Sequence, residues 1–392
     1  MPININGKYS DAVIFNDNIE KDAMTQVIKT ASHPATEGSK IRIMPDVHTG
    51  AGICIGFTAK LTDKVVPNWI GVDIGCGVTS YKLGDKDINF DKLDTFIRNA
   101  IPSSMNVRKH SYSKTDEVID KLYQKKLITH NHKSFNKNLK AICSKINEKH
   151  NRAENSLGTL GGGNHFIEID KDNEGMYWLT IHSGSRHFGL SVAQYHQNKA
   201  KRFVKEQNYK GISADSAFLT MNSGGDEYLT DMKFAQEYAR INRRIMAQAI
   251  IEGVFDLNLW NLEEVESVHN YIDFRDNIIR KGAISAYKGE KLIIPLNMRD
   301  GIIVGLGKSN DMWNFSAPHG SGRVYSRRQA KKVLSIEEFK KEMKGIWSSS
   351  ISYHTLDESP MAYKNTKEII DYIKETVDIK THMKPVYNFK AE

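Results

Sequence analysis

The chain has 392 residues, 40% of them apolar and 26% charged, and 55 Lys+Arg against 47 Asp+Glu leave a formal net charge of +8. This is globular composition, which excludes a disordered or fibrous protein, and no stretch approaches the ~18 consecutive apolar residues of a membrane span. Three cysteines (Cys54, Cys76, Cys143) are too few, and odd in number, for a disulfide framework; with no signal-peptide plan at the N-terminus, a cytoplasmic, reducing setting is expected.

Apolar alternation and β-branched residues predict strands at 41–44, 53–59 and 78–82, followed by a helix at 90–100. The segment 104–153 is rich in Lys, Arg, Asn and His and holds weaker helical patterns at 114–126 and 135–149. It reads as a basic helical excursion, either a solvated pair covering one edge of the core or a contact surface for a phosphate backbone. Strands at 165–169 and 177–182 precede a helix at 191–207 and the clearest helical periodicity of all, at 230–252. Strands then recur at 283–287, 291–295 and 302–306, with 286–291 reading as a hairpin turn between the first two. Weaker helices at 335–346 and 365–376 complete the pass. Strands and helices are interspersed without a βαβ rhythm, so the class is α+β.

Glycine clusters beside His, Asp and Cys at MPDVHTG (44–50), GVDIGCG (71–77), GTLGGGNH (158–165), HSGSRH (182–187) and APHGSGR (317–323). Glycine lets backbone turn sharply and approach a ligand, so a polar side chain flanked by it is aimed at something. Asp73 and Cys76, three residues apart, can reach one metal ion together, and a thiolate can bridge two; a buried structural Cys beside a capping Asp is the bland alternative. His165 opens an apolar strand, His182 closes another and is followed by small donors and Arg186, and His269 draws little notice alone. Collected, Asp73, Cys76, His165, His182 and His269 offer O, S and N donors for one or two divalent ions, but their scattered spacing proves no convergence and the ligands do not fix the metal. His319 is framed by Pro and Gly-Ser-Gly and followed by Arg323, Arg327, Arg328, Lys331 and Lys332. A nucleophilic imidazole attacking phosphorus needs such positive surroundings; a turn His beside a solvated basic helix is the alternative. No GxxxxGK[ST] phosphate loop occurs.

The ordered set MPDVH, GVDIGCG, GTLGGGNHFIE, HSGSRHFG, VHNY, LNMRDG and SAPHGSGR resembles the RtcB family of RNA ligases, from about residue 41 to Lys390, and most of all its bacterial branch. The resemblance implies one α+β catalytic domain over residues 1–392, with 104–153 inside it, and the joining of RNA 3′-phosphate or 2′,3′-cyclic phosphate ends to 5′-hydroxyl ends in RNA repair or tRNA splicing. It implies GTP and two manganese ions held by Asp73, Cys76, His165, His182 and His269, with Cys76 bridging, and His319 as the residue that takes GMP. The GTP pocket would draw on Asn164, His165, Phe166, Ile167, Glu168, His269, Asn270, Pro295, Leu296, Asn297, Met298, His319, Gly320, Ser321, Gly322, Tyr363 and Lys390. Asp46, His48, Arg186 and Arg323 would lie at the metals and the RNA phosphate. A monomer, an accessory activation factor and no membrane association are expected.

Two departures stand out. Ile302 occupies a position where the bacterial branch usually has a nucleotide-contacting Ser, a lost hydroxyl worth about 1 kcal/mol. The tail lacks the usual terminal Lys-Gly, leaving Lys390 as the expected nucleotide contact with Lys384 as its competitor. Two other functions compete with ligation: a metal-dependent phosphoesterase on cyclic-phosphate RNA ends, which needs no guanylylated His319, and a non-catalytic RNA-binding factor suggested by charge alone.

Overall fold

Along Phe166–Lys171 and Tyr177–Ser183 the period-two alternation buries Ile167, Ile169, Leu179 and Ile181 on one side and turns Phe166, Glu168 and His182 to the other. Their antiparallel register sets Phe166 opposite His182. These two strands lie at the centre of a seven-stranded sheet in a computed structural model of the chain that describes residues 2–391. The strand order is Glu264–Val268, Gly77–Gly84, Tyr177–Ser183, Phe166–Lys171, Val377–Lys390, Gly301–Gly307 and Lys291–Asn297, antiparallel throughout. The sheet curls enough for the Ile293 amide, on one edge strand, to donate to Ser267 Oγ on the other at 3.0 Å.

A second, six-stranded sheet runs Ile3–Asn6, Asp11–Ile14, Ile41–His48, Ile55–Lys60, Ile278–Lys281 and Asn270–Asp273, with one parallel pair, Asp11–Ile14 on Ile41–His48. At one of its passages between the two sheets the chain crosses through a single residue. His269 stands between Glu264–Val268 of the first sheet and Asn270–Asp273 of the second. Its amide donates to the Cys76 carbonyl at 2.9 Å.

The helix Gly225–Phe255 has 31 residues and joins both cores. Phe234, Tyr238 and Ile241 pack with the six-stranded sheet's apolar residues, whereas Met246, Ile250 and Ile251 pack with Tyr81, Leu179 and Ile181. The basic excursion contributes Thr115–Gln124, His132–Ile146 and His150–Asn155. Its Val118, Ile119, Leu122, Phe135 and Leu139 enter the larger core beside Phe234, so the excursion covers an edge of that core.

The expected strands and helices recur with shifted ends, apart from one connection. Residues 286–291 do turn, but Ala283–Ser285 pairs with Ser316–Pro318, and Lys291–Asn297 pairs with Gly301–Gly307. The hairpin is therefore the one closed by Asn297 and Gly301, where Gly301 adopts φ +84°. Among the described residues no helix is long and apolar enough to cross a membrane.

Candidate functional site

The strand ends bring the scattered donors together. Cys76 precedes Gly77–Gly84, His165 precedes Phe166–Lys171, His182 sits near the end of Tyr177–Ser183, and His269 is the inter-sheet corner. Cys76 Sγ lies 3.4 Å from His165 Nε2 and 3.3 Å from His182 Nε2. His182 Nε2 is 3.3 Å from His269 Nε2, and His165 Nε2 is 3.0 Å from Asp73 Oδ2. Two triads result, Cys76–His182–His269 and Asp73–Cys76–His165, each with its donor atoms within 4.8 Å of one another and with the thiol common to both. Gly184 leaves the room this needs, since a Cβ there would fall 2.0 Å from Asp73 Oδ1.

The protons are already assigned elsewhere. His165 Nδ1 donates to the Leu160 carbonyl at 2.8 Å and His182 Nδ1 to the Asn164 carbonyl at 3.1 Å, because a carbonyl can only accept. Nε2 of each ring is thereby the atom that faces the sulfur, and that of His165 also faces the Asp73 carboxylate. Burial keeps His182 and His269 well below the usual imidazole range, aided by their neighbouring rings, and burial followed by Asp73 pushes the Cys76 thiol up. Oxygen, sulfur and nitrogen ligand atoms converging in this way fit a divalent cation, which would displace the thiol proton and take the sulfur as thiolate.

His319 follows the short strand Ser316–Pro318 and its ring centroid lies 4.8 Å from that of His269. His319 Nδ1 donates to Asp46 Oδ2 at 2.7 Å, so in the neutral ring Nε2 carries the lone pair. Asp46 is wholly buried and sits in the strand Ile41–His48. Gly322, at φ +73°, lets the loop after His319 approach it: a Cβ there would lie 2.3 Å from the Asp46 carbonyl oxygen. His48 Nδ1 donates to the same carbonyl at 2.9 Å, and burial pushes His48 down to about 4.

Both histidine groups open into one cleft of about 1120 Å³ at the junction of the sheets. Asn164, Phe166, Glu168, Asn270, Pro295 to Met298, Gly320 to Gly322, Arg323, Tyr363 and Lys390 line it, together with His48, Asp73, Cys76, His182, His269 and His319. Lys390 sits 5.3 Å above the Phe166 ring and donates to the Asn164 carbonyl at 3.4 Å; Lys384 is exposed and donates to the Asp300 carbonyl at 3.2 Å, outside the cleft. Glu168 faces the cleft as a buried carboxyl, pushed well up by burial and then by Asp170.

Three expected residues stand elsewhere. Ile167 alternates away from Phe166 and Glu168, so its side chain is core. Arg186 stands behind the cleft, its guanidinium donating to Thr159 Oγ1 at 2.9 Å and the Ser104 carbonyl at 2.8 Å. Ile302 belongs to an apolar cluster with Val78, Trp178 and Met383 and does not line the cleft.

The sequence reading missed the scaffold behind the site. Asn242 Oδ1 accepts from the amides of Gly158 and Thr159 at 2.8 and 3.0 Å, while its Nδ2 donates to the Thr159 and Gly184 carbonyls, both at 3.1 Å. Arg243 donates to the Gly75 and Ser183 carbonyls, both at 2.9 Å. The available signal was a polar run, Asn242-Arg-Arg244, between Ile241 and Ile245 in the middle of the long helix. Glu358, which also lines the cleft, carried no such signal, whereas Arg327 lines it as one of the basic residues that follow His319.

A family model described as "tRNA-splicing ligase RtcB" matches residues 26–391. The chain belongs to the RtcB family. The RNA-splicing ligase RtcB of Escherichia coli strain K12 is 29% identical to this RtcB-family chain over 385 residues, covering 92% of each. An Escherichia coli RNA-splicing ligase RtcB1 (strain ATCC 25922) is 30% identical with the same coverage. The tRNA-splicing ligase RtcB of Archaeoglobus fulgidus is 28% identical over 91% of this chain and 88% of its own.

Proposed function

We propose that this RtcB-family protein is an RNA ligase that uses GTP and two manganese ions to join RNA 3′-phosphate or 2′,3′-cyclic phosphate ends to 5′-hydroxyl ends. The observation that carries the reading is the pairing, in one cleft, of a carboxylate-held imidazole with a cluster of five cation-seeking donors. Asp73, Cys76, His165, His182 and His269 would hold the ions, which supply Lewis acidity toward phosphoryl oxygens when bound. Manganese rests on the family resemblance, since this ligand set suits zinc equally well.

Asp46 keeps the His319 proton on Nδ1, so Nε2 is the attacking atom. Attack on the α-phosphorus of GTP forms a P–N bond and expels pyrophosphate. An oxygen of the RNA 3′-phosphate then attacks that phosphorus, the P–N bond breaks, and His319 is restored with GMP on the RNA end. The 5′-hydroxyl attacks the 3′-phosphorus and GMP leaves; a cyclic end is first opened by water to the 3′-phosphate. Lys390, Arg323 and Arg327 bring positive charge to the cleft, while Phe166 and Tyr363 offer faces for the guanine ring. The esterase alternative has no use for the His319–Asp46 pair, and the relatives named above are ligases.

Incubation with α-labelled GTP and manganese tests the reading. The wild type is expected to retain acid-labile label, His319→Ala to retain none, and Asp46→Asn to label about 100-fold more slowly. An unlabelled wild type overturns the proposal.

A further inference from the structure

Four of the groups that line the cleft converge on one carboxylate that no motif announced. Glu358 lies in the short helical turn Leu356–Glu358 and is 2% exposed. Its Oε2 accepts from Lys390 Nζ at 2.9 Å and from the Tyr363 hydroxyl at 2.7 Å. Its Oε1 accepts from Arg323 Nη1 at 3.1 Å and from Arg327 Nη1. A carboxylate offers about four lone-pair directions, and all of them are used here. Arg327 has a second acid in Asp357, at 2.7 Å, whereas Glu358 is the acid that holds Lys390. The two oxygens divide the work, with Lys390 and Tyr363 on one and Arg323 and Arg327 on the other.

The geometry points to Glu358 as a positioning residue that presents Lys390 and Tyr363 to a guanine nucleotide while pinning Arg323 and Arg327 along the adjoining RNA path. This rests on the ligase reading above. A lysine carries substantial rotamer entropy, and Lys390 must be fixed over Phe166 if its ammonium is to meet a base edge. Asn164 provides only a 3.4 Å contact to that ammonium, so the aim of Lys390 depends on Glu358. The role is electrostatic as well as steric: the lysine and the arginines crowd like charges together, and the carboxylate between them offsets their repulsion. Lys390, Arg327 and Arg323 in turn hold Glu358 down to about 2 although burial alone would raise it, so it stays ionised at working pH.

The test compares equilibrium GTP binding and guanylylation kinetics of the wild type, Glu358→Gln, Glu358→Asp, Lys390→Met and the Glu358→Gln/Lys390→Met double variant, with melting temperatures measured alongside. Glu358→Gln is expected to weaken GTP binding about tenfold and raise KM to match, with kcat for labelling within about threefold of wild type. The double variant is expected to bind GTP as Lys390→Met does, within about twofold, because the two residues act as a unit. Glu358→Asp is expected to recover part of the loss. If Glu358→Gln proves too unstable, Glu358→Gln/Arg327→Gln restores the charge balance and carries the same comparison. Unchanged GTP binding in Glu358→Gln, or losses that multiply in the double variant, overturns the assignment while leaving the ligase reading standing. A wild type that binds no GTP overturns both.

Discussion

Behind the loop Gly71–Gly77, Arg243 meets Glu266 at 2.8 Å, Arg240 meets it at the same distance, and Arg244 bonds both Glu264 and Glu266. In front of the loop, Asp73, Cys76, His165, His182 and His269 crowd acceptor against acceptor. Both clusters are buried and polar, and both look costly. They differ in donor balance. Each guanidinium of the rear cluster has a carboxylate partner and, for Arg243, backbone carbonyls too, so the group closes on itself and serves as a brace. In the front cluster His165 and His182 give their Nδ1 protons to backbone carbonyls and turn Nε2 inward beside Asp73, Cys76 and His269, an arrangement that an added cation would complete. Burial alone therefore does not mark a functional site; a surplus of converging acceptors does.

The contrast can be broken by substitution. Cys76→Ser removes the donor common to both triads, and guanylylation should fall by about 1000-fold or more, with bound manganese measured by elemental analysis dropping to at most about one ion per chain. Its urea midpoint without metal should barely move; a large shift would make Cys76 a packing residue. Arg243→Met reverses the pattern. It strips donors from the Gly75 and Ser183 carbonyls and is expected to cost about 3 kcal/mol in urea unfolding, with manganese still bound by whatever fraction folds. Full stability in that variant would remove the brace from the account.

Acidification sharpens the comparison with a smaller effect. In metal-free protein His182 and His269 sit below their ordinary value of 6.5, so the unfolded chain takes up protons that the folded one refuses, and stability should begin to fall below pH 6.5. His33 and His48, each pushed down to about 4 by burial, add to the same phase. Glu266 and Glu358 are depressed below their ordinary 4.5, so their contribution is complete above that pH and lost beneath it. A two-phase decline is expected in urea midpoints, and His182→Gln should flatten the upper phase only. A midpoint constant from pH 6.5 to 4.5 would contradict buried neutral imidazoles.

What the sequence made legible was the chemistry held in short motifs. Asp73, Cys76 and His319 stand where glycine flanks them, and the strands carrying His165 and His182 alternate cleanly. The scaffold was harder to see because it is assembled from distant, individually ordinary residues: Asn242 reaches loops more than 50 positions away, and Glu358 ties together residues 323 and 390. Val377–Lys390 escaped prediction because its lysines and Pro385 speak against a central strand. Its register shifts between Pro385 and Tyr387, a bulge that spares the proline a missing ladder bond. The short strands Ile3–Asn6 and Asp11–Ile14 and the helix Lys21–Ala31 were missed for want of long patterns.

That late strand has a consequence for timing. Val377–Lys390 is inserted between Phe166–Lys171 and Gly301–Gly307, so the middle of the seven-stranded sheet is supplied after both of its neighbours have left the ribosome. A growing chain can fold its six-stranded sheet early, whose last strand ends at Lys281, yet must keep a gap beside Phe166–Lys171 until residue 390 emerges. Any nascent chain short of that point carries every proposed metal donor but an open slot in the sheet that aligns them.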